Sequence, residues 1–241
     1  MQLDKGLLLS FFVLAPFLTD LKADSPLVAP VTAIDTYTAI SSTQGERMRG
    51  ASMEVDIEAS LPKLKKEGKL HALRKISQLG RITYEALNFE GDNTVKTNVI
   101  ARYLAADVQA QADGYTSLAI TPENYKFGYQ GLVTYNGRQV YVFHLTPKKK
   151  RVGTFKGELW LDAETCLPVR ESGRLAKNPS IFVRRIDFVR EYDIHNGLAI
   201  PRQIASTVDT RLVGKAELKI RFHDLALAES PSLSVAAGSG Q

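Results

Sequence analysis

The chain has 241 residues, 44% of them hydrophobic and 24% charged, with a single cysteine. That composition supplies a globular core without staples, and one cysteine excludes an intramolecular disulfide. The formal net charge of +5 is small for this length and spread along alternating segments, whereas a nucleic-acid binder gathers its basic residues into a patch or stripe.

Met1 to Ala23 begins with Lys5, continues through an apolar run from Gly6 to Leu18 and ends in the small residue Ala23. This is the layout of a secretory signal peptide, and the run, about 13 residues, is short of the roughly 20 that a spanning helix needs. Lysines and aspartates are equally represented in it (Asp4, Lys5, Asp20, Lys22), so the charge survives its removal. The chain is therefore expected to be exported. Asp24 to Pro30 is a linker. Val31, Ile34, Tyr37 and Ile40 form one stripe of a helix expected from Val31 to Gln44 and closed by Gly45.

Ala51 to Leu61 is the first strand, with Met53, Val55, Ile57, Ala59 and Leu61 on one face and Glu54, Asp56 and Glu58 on the other. Pro62 ends it, and strands are expected at Lys69–Leu79 and Arg81–Phe89, the latter with Ile82, Tyr84 and Ala86 on one side. The strongest helical pattern runs from Asn93 to Gln111, capped by Asp92 or Asn93, with an apolar stripe of Val95, Val99, Ile100, Tyr103, Leu104 and Val108. Such a stripe must cover something, and a sheet is the available partner.

A meander follows. Tyr125, Phe127, Tyr129, Val133 and Tyr135 are expected on one face of a strand that turns at Asn136-Gly137, the best hairpin signal in the chain. Tyr141, Phe143 and Leu145 alternate with Val140, Val142 and His144, and Leu159 and Leu161 alternate with Trp160. Further strands are expected at Leu167–Leu175, at Ile181–Asp193 with Phe182, Ile186, Phe188 and Tyr192, and around Ile200, Ile204 and Val208, after a turn at Asn196-Gly197. The last carries Leu218, Ile220 and Phe222, and the small polar tail from Ala228 to Gln241 is expected to be disordered.

The sum is a mainly β (α+β) domain spanning 24–227. Its expected form is a curved antiparallel sheet of about ten strands, an unclosed β-barrel with two covering helices; a β-sandwich satisfies the same pattern.

No catalytic centre is visible, and no enzyme, cofactor or metal is expected. His71, His144, His195 and His223 are far apart in sequence, without the short spacings of a metal site. Cys166 reads as a small apolar residue beside a turn that also explains Asp162 and Glu164. The basic run Lys148–Arg151 is either a solvated loop or an attraction for anionic headgroups. Trp160 is either on the outer sheet face or a partner anchor.

The run VYVFHLTPKKKRVGTFKGELWLDAETCLPVRESG, with its best motif at 140–171, resembles the lipoprotein-sorting carriers of the bacterial envelope, the LolA/LolB-like group. The order of helix, three strands, helix and meander agrees with that layout over about residues 31–225. The resemblance implies a periplasmic carrier whose half-barrel accepts an acyl chain of a lipid or lipoprotein, with peripheral membrane contact, no cofactor and no nucleic acid. The alternative is an envelope protein–protein interaction or stress-sensing module without lipid transport. On the carrier reading the cavity lining is Val55, Ile57, Tyr84, Phe127, Tyr129, Tyr141, Phe143, Leu159, Leu161, Ile186, Phe188, Ile204, Ile220 and Phe222. The lid helix then presents Val99, Ile100, Tyr103 and Leu104. The same residues also make a packed core.

Overall fold

The computed structural model describes residues 29–112 and 117–228. The expected signal peptide and nearly all of the expected tail lie outside them. Helix α1 (Pro30–Arg47) precedes strands β1 (Ser52–Leu61), β2 (Lys66–Ile76) and β3 (Ile82–Gly91). A helical run, 93–112 (α2), then leads to β4 (Tyr125–Tyr135), β5 (Arg138–Pro147), β6 (Phe155–Asp162), β7 (Pro168–Leu175), β8 (Val183–His195), β9 (Leu198–Thr210) and β10 (Lys215–Ala226).

The ten strands form one sheet in the order β3-β2-β1-β10-β9-β8-β7-β6-β5-β4, antiparallel throughout. The two edges, β3 and β4, do not pair with each other, so the barrel is unclosed. They are successive in sequence, and α2 follows β3 on the helix-bearing face.

Alternation is clean in β1, where Met53, Val55, Ile57, Ala59 and Leu61 are buried and the residues between them are not. It breaks in β4. A bulge between Tyr129 and Gly131, with Gly131 at φ 138°, shifts the phase by one residue. Tyr125, Phe127 and Tyr129 face the helices, but Val133 pairs with Val140 and Tyr135 meets Trp160 on the outer face, at 5.2 Å between ring centroids. The single shared face expected for these five residues is thereby corrected.

Both helices outrun their expected ends. Gly45 lies inside α1, which continues to Arg47 because its last turn is held from outside: the Arg47 guanidinium donates to Asn196 O and Gly197 O, and Gln44 Oε1 accepts from Ala199 N. Asp92 caps α2 by accepting from Thr94 N at 2.7 Å. The run contains a π-helical turn over Lys96–Ile100.

Two apolar clusters fill the helix-bearing face. Ala33 and Tyr37 of α1 pack with Tyr141, Phe143, Leu159, Leu161 and Phe188. Val95 and Ile100 of α2 pack with Met53, Val55, Ile57, Leu70, Leu218 and Ile220. Each helix thus covers its own half of the sheet.

Candidate functional site

Of the expected cavity residues, Val55, Ile57, Tyr141, Phe143, Leu159, Leu161, Phe188 and Ile220 are buried within these two clusters. Tyr84, Phe127, Ile204 and Phe222 pack against the clusters, half-buried. Ile186 is half-buried, and Tyr129 sits on edge strand β4, 47% exposed. On α2, Ile100 is buried, and Val99, Tyr103 and Leu104 are half-buried against the second cluster.

Open space lies on the other face. A groove of about 610 Å³ crosses β2, β1, β10, β9 and β8, walled by two rows of outward residues, Glu58, Lys69, Lys219, Ala205 and Val189 on one side and Ser60, Glu67, Glu217, Thr207 and Asp187 on the other. Between them runs the backbone of Gly68, Ala59, Leu218, Ser206 and Phe188, whose Cβ positions face the helices. On the helix-bearing face the place over Gly68 is taken by Phe89 and Val95. Among the described residues expected to line a cavity, Phe188 alone borders this groove.

Polar groups tie α2 to the sheet. Asp107 accepts from the Tyr84 hydroxyl at 2.8 Å and pairs with Arg74 at 3.7 Å. Burial, and then the Asp107 charge, push the Tyr84 and Tyr103 phenols above their ordinary range. Between the clusters, buried Glu171 pairs with Arg190 at 3.3 Å, and that guanidinium stacks over Phe188 at 4.9 Å.

The sheet end nearest this groove combines charge with exposed apolar side chains. It gathers four connections: 62–65, with Lys63, Leu64 and Lys65; 148–154, with Lys148–Arg151 and Val152; 176–182, with Ile181 and Phe182; and 211–214, with Arg211 and Leu212. They touch one another. Arg211 donates to Ile181 O at 2.8 Å through Nε and to Phe182 O at 2.9 Å through its backbone, and Ala176 N donates to Thr154 O at 2.8 Å. Ile181, Phe182 and Leu212 are 79%, 54% and 72% exposed. Further along the outer face, a second groove of about 770 Å³ is lined by His144, Lys150, Lys156, Arg174, Arg185 and Asp187, among others. Asp187 receives Arg174 and Arg185. Burial works against its charge, but those two hydrogen bonds hold the carboxyl below its ordinary range.

Trp160 is on the outer face, its Nε1 donating to Glu158 at 3.0 Å under the Arg170 guanidinium. Asp162 is buried and organises its turn, accepting from Glu164 N, Thr165 N and the Thr165 hydroxyl. Cys166 is buried at φ 58°, and burial pushes its thiol upward. His71 and His223, distant in sequence, are brought by strands β2, β1 and β10 to 6.1 Å between ring centroids, because the first and last strands of the chain pair in the middle of the sheet. Among the described residues no helix is long and apolar enough to cross a membrane.

No family model and no curated protein matches the chain. Solved structures do. The chain is similar to an outer membrane lipoprotein-sorting protein domain from Vibrio parahaemolyticus, at 11% identity and a TM-score of 0.43, over 83% of this chain and 94% of that one. It is similar to a LolA superfamily protein from Nitrosomonas europaea, at 14% identity and a TM-score of 0.35, over 81% and 94%. It is similar also to the Pseudomonas aeruginosa MucA/MucB complex, at 11% identity and a TM-score of 0.28, over 81% and 100%. Identities and scores of this size assign the chain neither a family nor a role.

Proposed function

We propose that the chain is an exported, periplasmic carrier that holds one acyl chain of a lipid or lipoprotein between the sheet and its covering helices. The observation that supports this reading most directly is the apolar inner face of an unclosed sheet, divided into two separately packed clusters that α1 and α2 each cover alone. An outward shift of α2 opens room for the chain between them. Apolar burial supplies the affinity, at about 0.8 kcal/mol per methylene. No bond is made or broken in this mechanism. The neighbouring end of the sheet approaches the donor membrane, with Val152, Ile181, Phe182 and Leu212 reaching into the interface and Lys148–Arg151 meeting anionic headgroups. The test is titration of the full chain with a fluorescent fatty acid, alongside native mass spectrometry after gentle purification. Saturable binding and a removable lipid mass support the carrier. A bare mass together with no fluorescence response overturns it.

A second reading, an envelope protein–protein module, is favoured by a different observation. Edge strand β4 exposes Tyr129, Leu132 and Val133 beside unpaired backbone groups, the arrangement on which an added strand docks. MucB, one of the similar structures, is seen in complex with MucA. On this reading Leu132→Lys abolishes partner capture and leaves fatty-acid titration untouched.

A further inference from the structure

On the outer face of the sheet, opposite the helices, β2, β1 and β10 place Glu54, Asp56, His71 and His223 side by side. Glu54 pairs in register with His223, and Asp56 with His71. One ligand atom each from Glu54, His71 and His223 falls within 4.8 Å of the others. His71 Nε2 is 3.3 Å from Glu54 Oε2, and His223 Nδ1 is 3.9 Å from that same oxygen. Zinc–nitrogen and zinc–oxygen bonds of ~2.0–2.1 Å in a tetrahedron separate neighbouring ligands by roughly 3.3–3.4 Å, close to what these side chains already show.

Asp56 supplies the second observation. Its Oδ1 lies 2.9 Å from His71 Nδ1 and its Oδ2 3.2 Å from His223 Nε2. One carboxylate thus holds the far nitrogen of each ring. Accepting both N–H groups leaves the lone pairs of His71 Nε2 and His223 Nδ1 toward Glu54, the arrangement in which metal-ligating histidines are oriented by a carboxylate behind them. The rings stack at 14°. The only further acid at hand, Asp224, has Oδ2 2.8 Å from His223 Nδ1. An ion on that nitrogen replaces the proton shared there and leaves the Asp224 carboxylate within reach of the fourth position. The nearby Arg221 guanidinium is engaged by Glu58 at 2.7 Å.

We propose that Glu54, His71 and His223 form a binding site for one divalent transition-metal ion of the zinc class, with Asp56 as the residue that positions both histidines. Two imidazoles and a carboxylate favour zinc, cobalt, nickel or copper over magnesium or calcium. The ion ties together three adjacent strands, β2, β1 and β10, at the seam where the chain's first strand pairs with its last. It sits on the face away from the helices, so acyl binding beneath them neither requires nor excludes it.

The test uses the full chain, stripped of metal with a chelator and then dialysed against Zn²⁺, with the metal measured by elemental analysis and the melting temperature by calorimetry. The expected result is one Zn²⁺ per chain and, at a hundredfold excess over Kd, a rise in melting temperature of roughly 5–10 °C. The H71N/H223N double variant, checked for an unchanged metal-free melt, is expected to lose both. D56N weakens Zn²⁺ by about 10–100-fold while keeping one ion per chain. Zinc retained at full affinity by H71N/H223N, no zinc on the parent chain, or zinc lost instead from an H144N/H195N variant would each overturn the assignment.

Discussion

Ser206→Leu separates an acyl carrier from a packed scaffold. Ser206 lies on β9, half-buried, between Leu218 on β10 and Phe188 on β8, at the seam of the two apolar clusters. Its hydroxyl makes one bond, to Asp187 O at 3.2 Å. Leucine there projects a branched four-carbon group into the space an acyl chain would occupy and displaces about three methylenes. At about 0.8 kcal/mol each the loss is roughly 2.4 kcal/mol, or about 50-fold in Kd. The stability change is set by one long hydrogen bond at a partly open position, about 1 kcal/mol or less, offset by new apolar contact. Fluorescent fatty-acid titration and a thermal melt measure the two quantities on the same sample. Binding that weakens about 50-fold with a melt shifted by only a few degrees supports an acyl chain at this seam. Unchanged affinity in a folded variant would refute it.

Other outcomes follow from the same packing. At Gly157 an added Cβ falls 1.9 Å from Ser172 O and 2.5 Å from the Cα of Gly173, so Gly157→Ala must force β6 from β7. A loss of several kcal/mol in urea unfolding is expected, whereas Gly45→Ala, with nothing within 4 Å, gains up to about 1 kcal/mol. Asp107→Ala strips the Tyr84 hydroxyl and the largely covered Arg74 of their acceptor. It is expected to cost about 2–4 kcal/mol and to speed amide exchange in α2 more than in α1; equal acceleration in both helices would argue against Asp107 as the tie. Asp187, whose carboxyl is held below its ordinary range, contributes stability that is complete above its unfolded pKa and lost as pH falls through the folded one. Between about pH 5 and 3 the parent chain should therefore lose more stability than Asp187→Asn, and parallel pH profiles would contradict this.

Much of the architecture is written in local patterns. β1 alternates without a break because each pleat turns successive residues to opposite faces, and Pro62 stops it where a ladder donor is needed. Asn136 and Asn196, both at φ 50°, sit where the two Asn-Gly pairs announce turns. The apolar stripe on α2 names the residues that meet the sheet. Less local features were out of reach. The phase of β4 depends on a bulge at Gly131 that carries no apolar signal, so Val133 and Tyr135 could not be assigned a face from alternation alone. The length of α1 depends on Gln44 and Arg47 finding carbonyl and amide partners about 150 residues away. Most of the residues expected to line a cavity fill or border the two cores instead, because alternation reports which side chains leave water and not whether they meet one another or an open space. The His71–Asp56–His223 arrangement is a product of topology. The pattern of single residues fixes which face of its strand each histidine takes, but only the pairing of β1 with both β2 and β10 sets two rings, about 150 residues apart in the chain, on opposite flanks of one carboxylate.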